Sequence, residues 1–269
     1  MAGKLFVFEG PDGSGKTTCA KEITKSLNNK YKDLKFENYA LPFNWEAALS
    51  ANEFDEIIDK FKIAHPEQLV KEYKTIRSIL RGEKDTEFCT KKDKIDHLQD
   101  LMLSNMISTF TYVIKPKLNN GINIILDRWL ISTYIYSVLV KGKHSEDYNK
   151  ILENTNYDFS KVANRVGLLT IPNNIIYFNI PIYLLLNHSI SRKTKEENDN
   201  IKNVISSTQN YELFFHTLKN SDNYFSKIVI NTVDKSEYLN IIEDESSFYS
   251  NICKNLITKI ENIVTAKDD

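Results

Sequence analysis

Short apolar runs alternate along the chain with longer segments in which apolar residues recur every three or four positions. Short runs of this kind indicate strands, and they occupy Leu5–Phe8, Ile122–Leu126, Ile175–Phe178 and Lys227–Ile230. Leu34–Tyr39 alternates between apolar and polar residues and is the candidate second strand. Apolar strands separated by helices are typical of a parallel sheet that is covered by helices on both faces. The pattern therefore predicts an α/β fold with a central parallel sheet of about five strands.

The longer periodic segments predict helices at Lys16–Lys30, Asp55–Arg81, Asp93–Leu118, Trp129–Val140 and Tyr183–Ser191. Pro116 lies inside the third of these segments and predicts that this helix kinks or ends early. A terminal helix is predicted by one apolar face with a spacing of three or four residues: Phe248, Ile252, Leu256, Ile260 and Ile263. No internal repeat divides the chain, so we expect a single domain over residues 1–269.

Composition and charge narrow the classes of partner. Hydrophobic residues make up 41% of the 269 positions and charged residues 26%, which is ordinary for a globular protein. The net charge of −1 argues against a nucleic acid partner and leaves room only for a local basic groove. No segment approaches the roughly 20 apolar residues that span a bilayer. We therefore expect a cytoplasmic protein without membrane contact, located in the host cytoplasm if the source is a virus.

The segment from Gly10 to Thr17 reads GPDGSGKT and matches the phosphate-binding pattern G-x-x-x-x-G-K-[ST]. Glycines let several backbone N–H groups approach one phosphate, and the following helix directs its positive end at the same point. Lys16 is predicted to reach the β- and γ-phosphates and Thr17 to bind Mg²⁺. ATP and Mg²⁺ are thus the expected cofactors. The candidate nucleotide-binding residues are Gly10, Asp12, Gly13, Ser14, Gly15, Lys16, Thr17 and Thr18.

A phosphate loop alone does not separate kinases from guanine-specific switch proteins. The latter carry Asn-Lys-x-Asp after a late strand, and the segment from Asn231 to Asp234 reads NTVD. This segment lacks the lysine, so the guanine-specific alternative is weakly supported.

Further blocks of sequence resemble a single family. The segment Phe8–Thr18 resembles FEGxDGxGKTT, and Leu126–Tyr136 resembles DRYxxSxxAY directly after an apolar strand. Ile76–Leu80 is similar to IRxIL, and Val113–Leu118 resembles a helix end before that strand. These blocks resemble the thymidylate kinases, a family of P-loop nucleoside monophosphate kinases. The blocks end at about residue 137, and beyond them only the order of the elements is similar.

The resemblance implies a three-layer P-loop kinase fold with a lid at about residues 188–202. It also implies an extra helical segment at about residues 45–70, because the chain is longer there than the family pattern. The implied reaction transfers the γ-phosphate of ATP to a deoxynucleoside monophosphate, most directly dTMP or a related, even modified, pyrimidine nucleotide. A homodimer is implied as well.

Individual roles follow from the resemblance. Asp12 matches the acid that contacts the acceptor sugar and helps to place Mg²⁺, and Asp127 matches an acid near the metal. Arg128 matches the arginine that bridges the acceptor and transferred phosphates, and Tyr136 matches the ring that packs against C2′ of the sugar. Arg192 stands where a lid arginine is expected, although a solvated charged face explains it equally well. The candidate catalytic residues are Lys16, Arg128, Asp12 and Arg192, and the metal candidates are Thr17 and Asp127.

Two arginines of the family pattern are missing from this chain. After the second strand the family has a proline followed two residues later by an arginine, but here Asn44 follows Pro42. A second family arginine, which reads the base, corresponds to Met106, beside Asn105. A methionine cannot donate a hydrogen bond to a carbonyl oxygen. The candidate substrate-binding residues are Asp12, Pro42, Phe43, Asn105, Arg128 and Tyr136.

Three functions therefore stay open. The first is a kinase for thymidylate or a related pyrimidine deoxynucleotide. The second is a kinase of the same fold with another acceptor, such as a hydroxylated base in DNA, and the two departures favour it. The third is a non-catalytic nucleotide-binding protein, against which the intact Lys16, Thr17 and Asp127 argue.

Overall fold

The computed structural model describes residues 2–81, 83, 90–133, 135, 172, 174–191, 197–219, 229–232 and 245–266. Within these ranges the side chains of 91, 92, 95, 187–191, 197–203, 217–219, 229–232 and 245–249 are not described. No helix within these ranges has the length and apolarity to cross a bilayer.

Parallel strands form one central sheet in the order β2-β3-β1-β4-β5. The strands are β1 (Leu5–Glu9), β2 (Phe36–Ala40), β3 (Asn123–Asp127), β4 (Asn174–Tyr177) and β5 (Val229–Thr232). The predicted parallel α/β architecture is thus confirmed, with strand ends shifted by one or two residues. The strands β2 and β3 lie on one side of β1 in the sheet, and β4 and β5 lie on the other. β1 is therefore the central strand, between β3 and β4. Ligands of such sheets bind beyond the carboxyl ends of the central strands.

Helices cover both faces of the sheet because successive strand residues point to opposite sides. Leu5 and Val7 pack into one core with residues of the helices between β2 and β3. Phe6 and Phe8 pack into a second core with the first and last helices. The helices are α1 (Lys16–Lys30), α2 (Trp45–Ala48), α3 (Ala51–Phe61), α4 (Pro66–Leu80), α5 (Lys91–Thr109), α6 (Lys115–Asn119), α7 (Ile182–Ser191), α8 (Glu197–Lys219) and α9 (Glu245–Thr265).

The single helix predicted over Asp55–Arg81 is wrong, because two helices occupy this region. Lys62 ends α3 with a left-handed backbone at φ 51°, and Pro66 starts α4 in its first turn. Proline is favoured at that position because its missing N–H would have no partner within the helix. Apolar periodicity continues across the break, so the pattern alone could not reveal it.

Pro116 does not end the helix before β3. Instead, Phe110–Ile114 widens into a π-helical stretch between α5 and α6, and the N–H of Lys115 bonds the carbonyl of Phe110. In a π-helical stretch each N–H bonds the carbonyl five residues earlier instead of four. This change of pairing accommodates Pro116, which has no backbone N–H to donate. The helical path therefore runs from Lys91 to Asn119.

Candidate active site

The phosphate loop joins the central strand β1 to α1. Gly13 and Gly15 have φ values of 81° and 82°, a left-handed conformation that residues with a Cβ rarely adopt. A Cβ on Gly10 would lie 3.0 Å from the carbonyl oxygen of Phe178 and 3.1 Å from its Cβ. The three glycines of the motif are therefore required by the shape of the loop.

Lys16 lies across the inside of this loop. Its Nζ donates hydrogen bonds to Pro11 O at 2.7 Å and to Ser14 Oγ at 2.9 Å, and only 4% of the residue is exposed. Burial, together with the charge of Arg128, lowers the pKa of Lys16 to about 7, although nearby carboxylates oppose this. A phosphate group in the loop would offer the ammonium stronger acceptors and favour its charged form.

Thr17 and Asp127 meet at the ends of α1 and β3. Thr17 Oγ1 donates a hydrogen bond to Asp127 Oδ2. The other carboxylate oxygen, Oδ1, is buried and has no hydrogen-bond partner among the described residues. Hydroxyl and carboxylate oxygens are the ligands that Mg²⁺ prefers, with phosphate oxygens and water completing its shell. The two residues therefore fit the predicted magnesium site.

Arg128 connects the second sequence block to the phosphate loop. Its guanidinium forms an ion pair with Asp12 and donates from Nη1 to Gly10 O at 3.4 Å. The backbone of Arg128 has a φ of 75°, which costs on the order of 1–3 kcal/mol for a residue with a Cβ. Such a conformation persists where surrounding contacts determine it, and it often marks a functional site.

Glu9 is a site residue that the sequence analysis missed. This carboxylate is fully buried at the end of β1. Its Oε1 accepts the N–H of Trp129 at 2.8 Å and that of Ser132 at 3.3 Å, while Oε2 accepts from the Ser132 hydroxyl and lies 3.3 Å from the hydroxyl of Tyr211. Burial raises the pKa of Glu9, and the bond from Ser132 and the charge of Arg128 oppose that rise. The sequence did carry a signal for Glu9, because it is a charged residue directly after the apolar run Leu5–Phe8.

Asn105, on α5, forms hydrogen bonds with the loop that follows β2. Its Oδ1 accepts the N–H of Phe43 at 2.7 Å, and its Nδ2 donates to Phe43 O at 3.2 Å. Both residues are fully buried. The two groups of the amide thus fix the backbone of the predicted acceptor loop, in which Pro42 is half-buried.

Neither Asn44 nor Met106, which stand in place of the two family arginines, carries a charge. Asn44 accepts the N–H of Ala47 at 3.3 Å and so caps the short helix α2. Met106 is 1% exposed and belongs to the hydrophobic core.

The aromatic residues near the acceptor loop belong mainly to the core. Phe43 and Trp45 are fully buried and meet edge to face, with ring centroids 5.0 Å apart. Phe110 is 4% exposed and packs against Trp129. Base stacking on Phe43, Trp45 or Phe110 would therefore need these buried rings to become accessible.

The remaining predicted site residues fall into two groups. Gly13, Ser14, Gly15 and Thr18 lie in the loop and the first turn of α1, where Ser14 is buried and Thr18 is exposed. Tyr136 and Arg192 lie outside the described residues, so the contact to the acceptor sugar and the lid arginine stay predictions.

Comparison with known proteins identifies the relatives of this chain. No protein-family model matches it. The thymidylate kinase of Prochlorococcus marinus is 28% identical over 237 residues, which cover 87% of this chain and 92% of that protein. The chain is similar to the thymidylate kinases. It is also 31% identical to the thymidylate kinase of Leptospira borgpetersenii over 132 residues, which cover 49% of this chain and 48% of that protein. To that of Ligilactobacillus salivarius it is 26% identical over 160 residues, covering 57% of this chain and 59% of that protein.

Proposed function

We propose that the protein is a Mg²⁺-dependent kinase that transfers the γ-phosphate of ATP to a deoxynucleoside monophosphate, dTMP or a related pyrimidine nucleotide. The ion pair between Arg128 and Asp12 carries this proposal, because it brings the end of β3 onto the phosphate loop. Similarity to proteins named thymidylate kinase supports the same class of reaction.

The chain's own groups suit phosphoryl transfer, which depends on positioning and on positive charge around the moving phosphate. Lys16 holds the β- and γ-phosphate oxygens, and Arg128 neutralises charge between the donor and acceptor phosphates. Mg²⁺, held through Thr17 and Asp127, supplies further positive charge when bound. An acceptor phosphate oxygen then attacks the γ-phosphorus in line, and the β-phosphate oxygen of ADP leaves.

The acceptor side of the proposal rests on the loop after β2. Asn105 fixes this loop through Phe43. The extra segment of about residues 45–70 falls within α2–α4, which follow the loop in the chain. Tyr136 contacts the acceptor sugar, and a lid at about residues 188–202 brings in Arg192. In this proposal residues 1–269 act as one domain, and two copies of it form a homodimer. Light scattering that gave a monomer mass of 31.2 kDa would remove the homodimer.

A changed acceptor is the second candidate function, and two observations favour it. Asn44 is used as a helix cap, and Met106 is buried in the core. Neither can hold the acceptor phosphate as an arginine would. A modified pyrimidine nucleotide, or a hydroxylated base in DNA, would then replace dTMP.

A coupled phosphate-transfer assay tests both candidates. The acceptors are dTMP, dUMP, 5-hydroxymethyl-dUMP, dCMP, dGMP, UMP, thymidine and single-stranded DNA. Turnover of dTMP supports the first candidate, and turnover of only a modified nucleotide or DNA supports the second. Binding of ATP without transfer to any acceptor would contradict both and indicate a non-catalytic protein.

Matched variants test the assigned roles. Lys16→Ala should abolish transfer, whereas Lys25→Ala, at an exposed position of α1, should not. Arg128→Ala should lower transfer about a thousandfold, the worth of an arginine that stabilises the transition state. Arg77→Ala, at an exposed position of α4, is its control. Retained turnover in Lys16→Ala would rule out the proposed function.

A further inference from the structure

A chain of hydrogen bonds links Arg128 to helix α8. Nη1 of Arg128 lies 3.2 Å from Ser132 Oγ and 3.4 Å from the Tyr211 hydroxyl. The two hydroxyl oxygens are themselves 2.7 Å apart. Ser132 also bonds Glu9 Oε2, from which the Tyr211 hydroxyl is 3.3 Å away. Four side chains from three separate parts of the sequence therefore share one cluster.

The number of protons in this cluster determines which group donates and which accepts in each hydrogen bond. A guanidinium nitrogen only donates, and an ionised carboxylate only accepts. The hydroxyl of Ser132 donates to Glu9, so its oxygen is left to accept from Arg128 and from Tyr211. With Tyr211 donating to Ser132, the Tyr211 oxygen can also accept from Arg128. Each hydroxyl then donates once, and both direct lone pairs at Arg128.

Burial makes this arrangement rigid. Glu9, Ser132 and Tyr211 are 0%, 3% and 0% exposed. The Tyr211 ring is stacked with those of Tyr177 and Phe215, at centroid distances of 6.0 and 6.5 Å. Buried polar groups are costly unless each is paired, so the hydroxyls are held in place by their partners.

We infer that Tyr211 is a positioning residue for Arg128: with Ser132 and Glu9 it fixes the guanidinium against the phosphate loop. This inference rests on the proposed kinase function for its effect on catalysis, but the immobilisation itself does not. Tyr211 belongs to α8, which begins at Glu197, within the residues predicted to form the lid (about 188–202). The same hydroxyl thus connects a helix that begins in the predicted lid to the arginine at the loop.

The phenylalanine variant isolates the hydroxyl. Tyr211→Phe keeps the stacked ring and removes only the oxygen. Tyr177→Phe is the matched control, because its ring belongs to the same stack and its hydroxyl has no hydrogen-bond partner among the described residues. Equal thermal unfolding of the two variants would exclude a general loss of structure as the cause of any difference. Ser132→Ala tests the second hydroxyl independently.

Immobilisation is measured without any substrate. The chain has five arginines, so side-chain nitrogen NMR of arginine-labelled protein gives few signals, and Arg128→Lys assigns that of Arg128. Restricted guanidinium rotation is expected for Arg128 in the wild type and in Tyr177→Phe, and faster rotation in Tyr211→Phe. Unchanged rotation in Tyr211→Phe would overturn the inference whatever the protein's activity.

The catalytic effect is measured by a double-mutant cycle. Tyr211→Phe should lower kcat about tenfold, equivalent to losing one hydrogen bond to a charged group, with the KM for ATP unchanged. In the Arg128→Ala background the same substitution should change kcat by less than about twofold, because its partner is already gone. Full additivity, or an unchanged kcat in Tyr211→Phe alone, would overturn the role. A wild type that shows restricted Arg128 but transfers no phosphate would refute the proposed function and leave the positioning intact.

Discussion

Thr17 donates a hydrogen bond to Asp127 across 110 positions of the sequence, joining the first turn of α1 to the end of β3. Asn at position 127 could still accept that bond but would carry no charge for a metal ion. Asp127→Asn is therefore expected to lower transfer at least about tenfold at limiting Mg²⁺ and to raise the Mg²⁺ concentration for half-maximal rate. A magnesium titration of the transfer rate measures both effects.

The control for this experiment is Asp59→Asn, which removes a carboxylate from an exposed position of α3. It should leave the magnesium titration unchanged. A wild-type magnesium midpoint in Asp127→Asn would exclude Asp127 from the metal site.

Asn105 is predicted to stabilise the acceptor loop through both of its amide groups. Replacing it with leucine leaves the N–H and carbonyl of Phe43 buried without partners, at a cost of about 2–4 kcal/mol. Asn52→Leu, at an exposed position of α3, should change stability by less than about 0.5 kcal/mol. Urea unfolding measures both variants, and equal stabilities would contradict the role of Asn105 as a clamp.

The functional consequence of that clamp is tested with the milder Asn105→Asp, which keeps an acceptor for the N–H of Phe43 but loses the donor to its carbonyl. Because the clamped loop belongs to the proposed acceptor side, the KM of the acceptor should rise while that of ATP stays constant. A rise in the KM of ATP alone would place the loop on the wrong side of the site.

The phosphate loop and the Asp127–Arg128 block could be predicted from the sequence because their signals are local. Each is a short motif next to an apolar strand, and both strands lie centrally in the parallel sheet. Parallel strands deliver the residues at their carboxyl ends to the same edge of a sheet. The strand order, which the local motifs do not reveal, explains why the two blocks meet.

The contacts that support these blocks could not be predicted in the same way. Asn105 and Phe43 are 62 positions apart, and Tyr211 and Glu9 are 202 apart. A hydrogen bond between distant residues leaves no periodic pattern in the sequence. Helix α8 was missed for a related reason, since its many polar residues give it only a weak apolar face.

A cluster of charges between β2 and α6 is predicted to make stability depend on pH. Burial raises the pKa of Glu37, but hydrogen bonds from Lys117 at 2.6 Å, from Tyr39 and from Lys35 together hold it below the ordinary 4.5. A lowered pKa in the folded state stabilises the protein above pH 4.5, and this stabilisation is lost as the pH falls through the folded value. Glu37→Gln should therefore lose less stability than the wild type in acid.

Urea unfolding between pH 7 and pH 3 checks this, at pH values chosen to bracket the ordinary carboxyl pKa. Glu56→Gln, at an exposed position of α3, is the control and should follow the wild-type curve. Identical acid losses in the wild type and Glu37→Gln would show that the Lys117 pair does not contribute.

Glu72, on α4, predicts the opposite dependence on pH. Its Oε1 accepts from Ser104 Oγ at 2.7 Å, while Oε2 is buried without a hydrogen-bond partner among the described residues. Burial raises the pKa of Glu72, and the bond from Ser104 opposes that rise. A raised folded pKa means that the native state retains a proton that the unfolded chain releases. Stability is therefore lost as the pH rises from 4.5 through the folded value.

Glu72→Gln removes this titration. The difference in unfolding free energy between variant and wild type should grow in favour of the variant as the pH rises above 4.5. The slope is decisive here, because the amide's own unpaired N–H adds a constant penalty that does not change with pH. Ser104→Ala removes the bond that opposes the rise in pKa, so it should extend the pH-dependent range upwards. A difference that stayed flat with pH would mean that the Glu72 carboxylate is solvated in the folded protein.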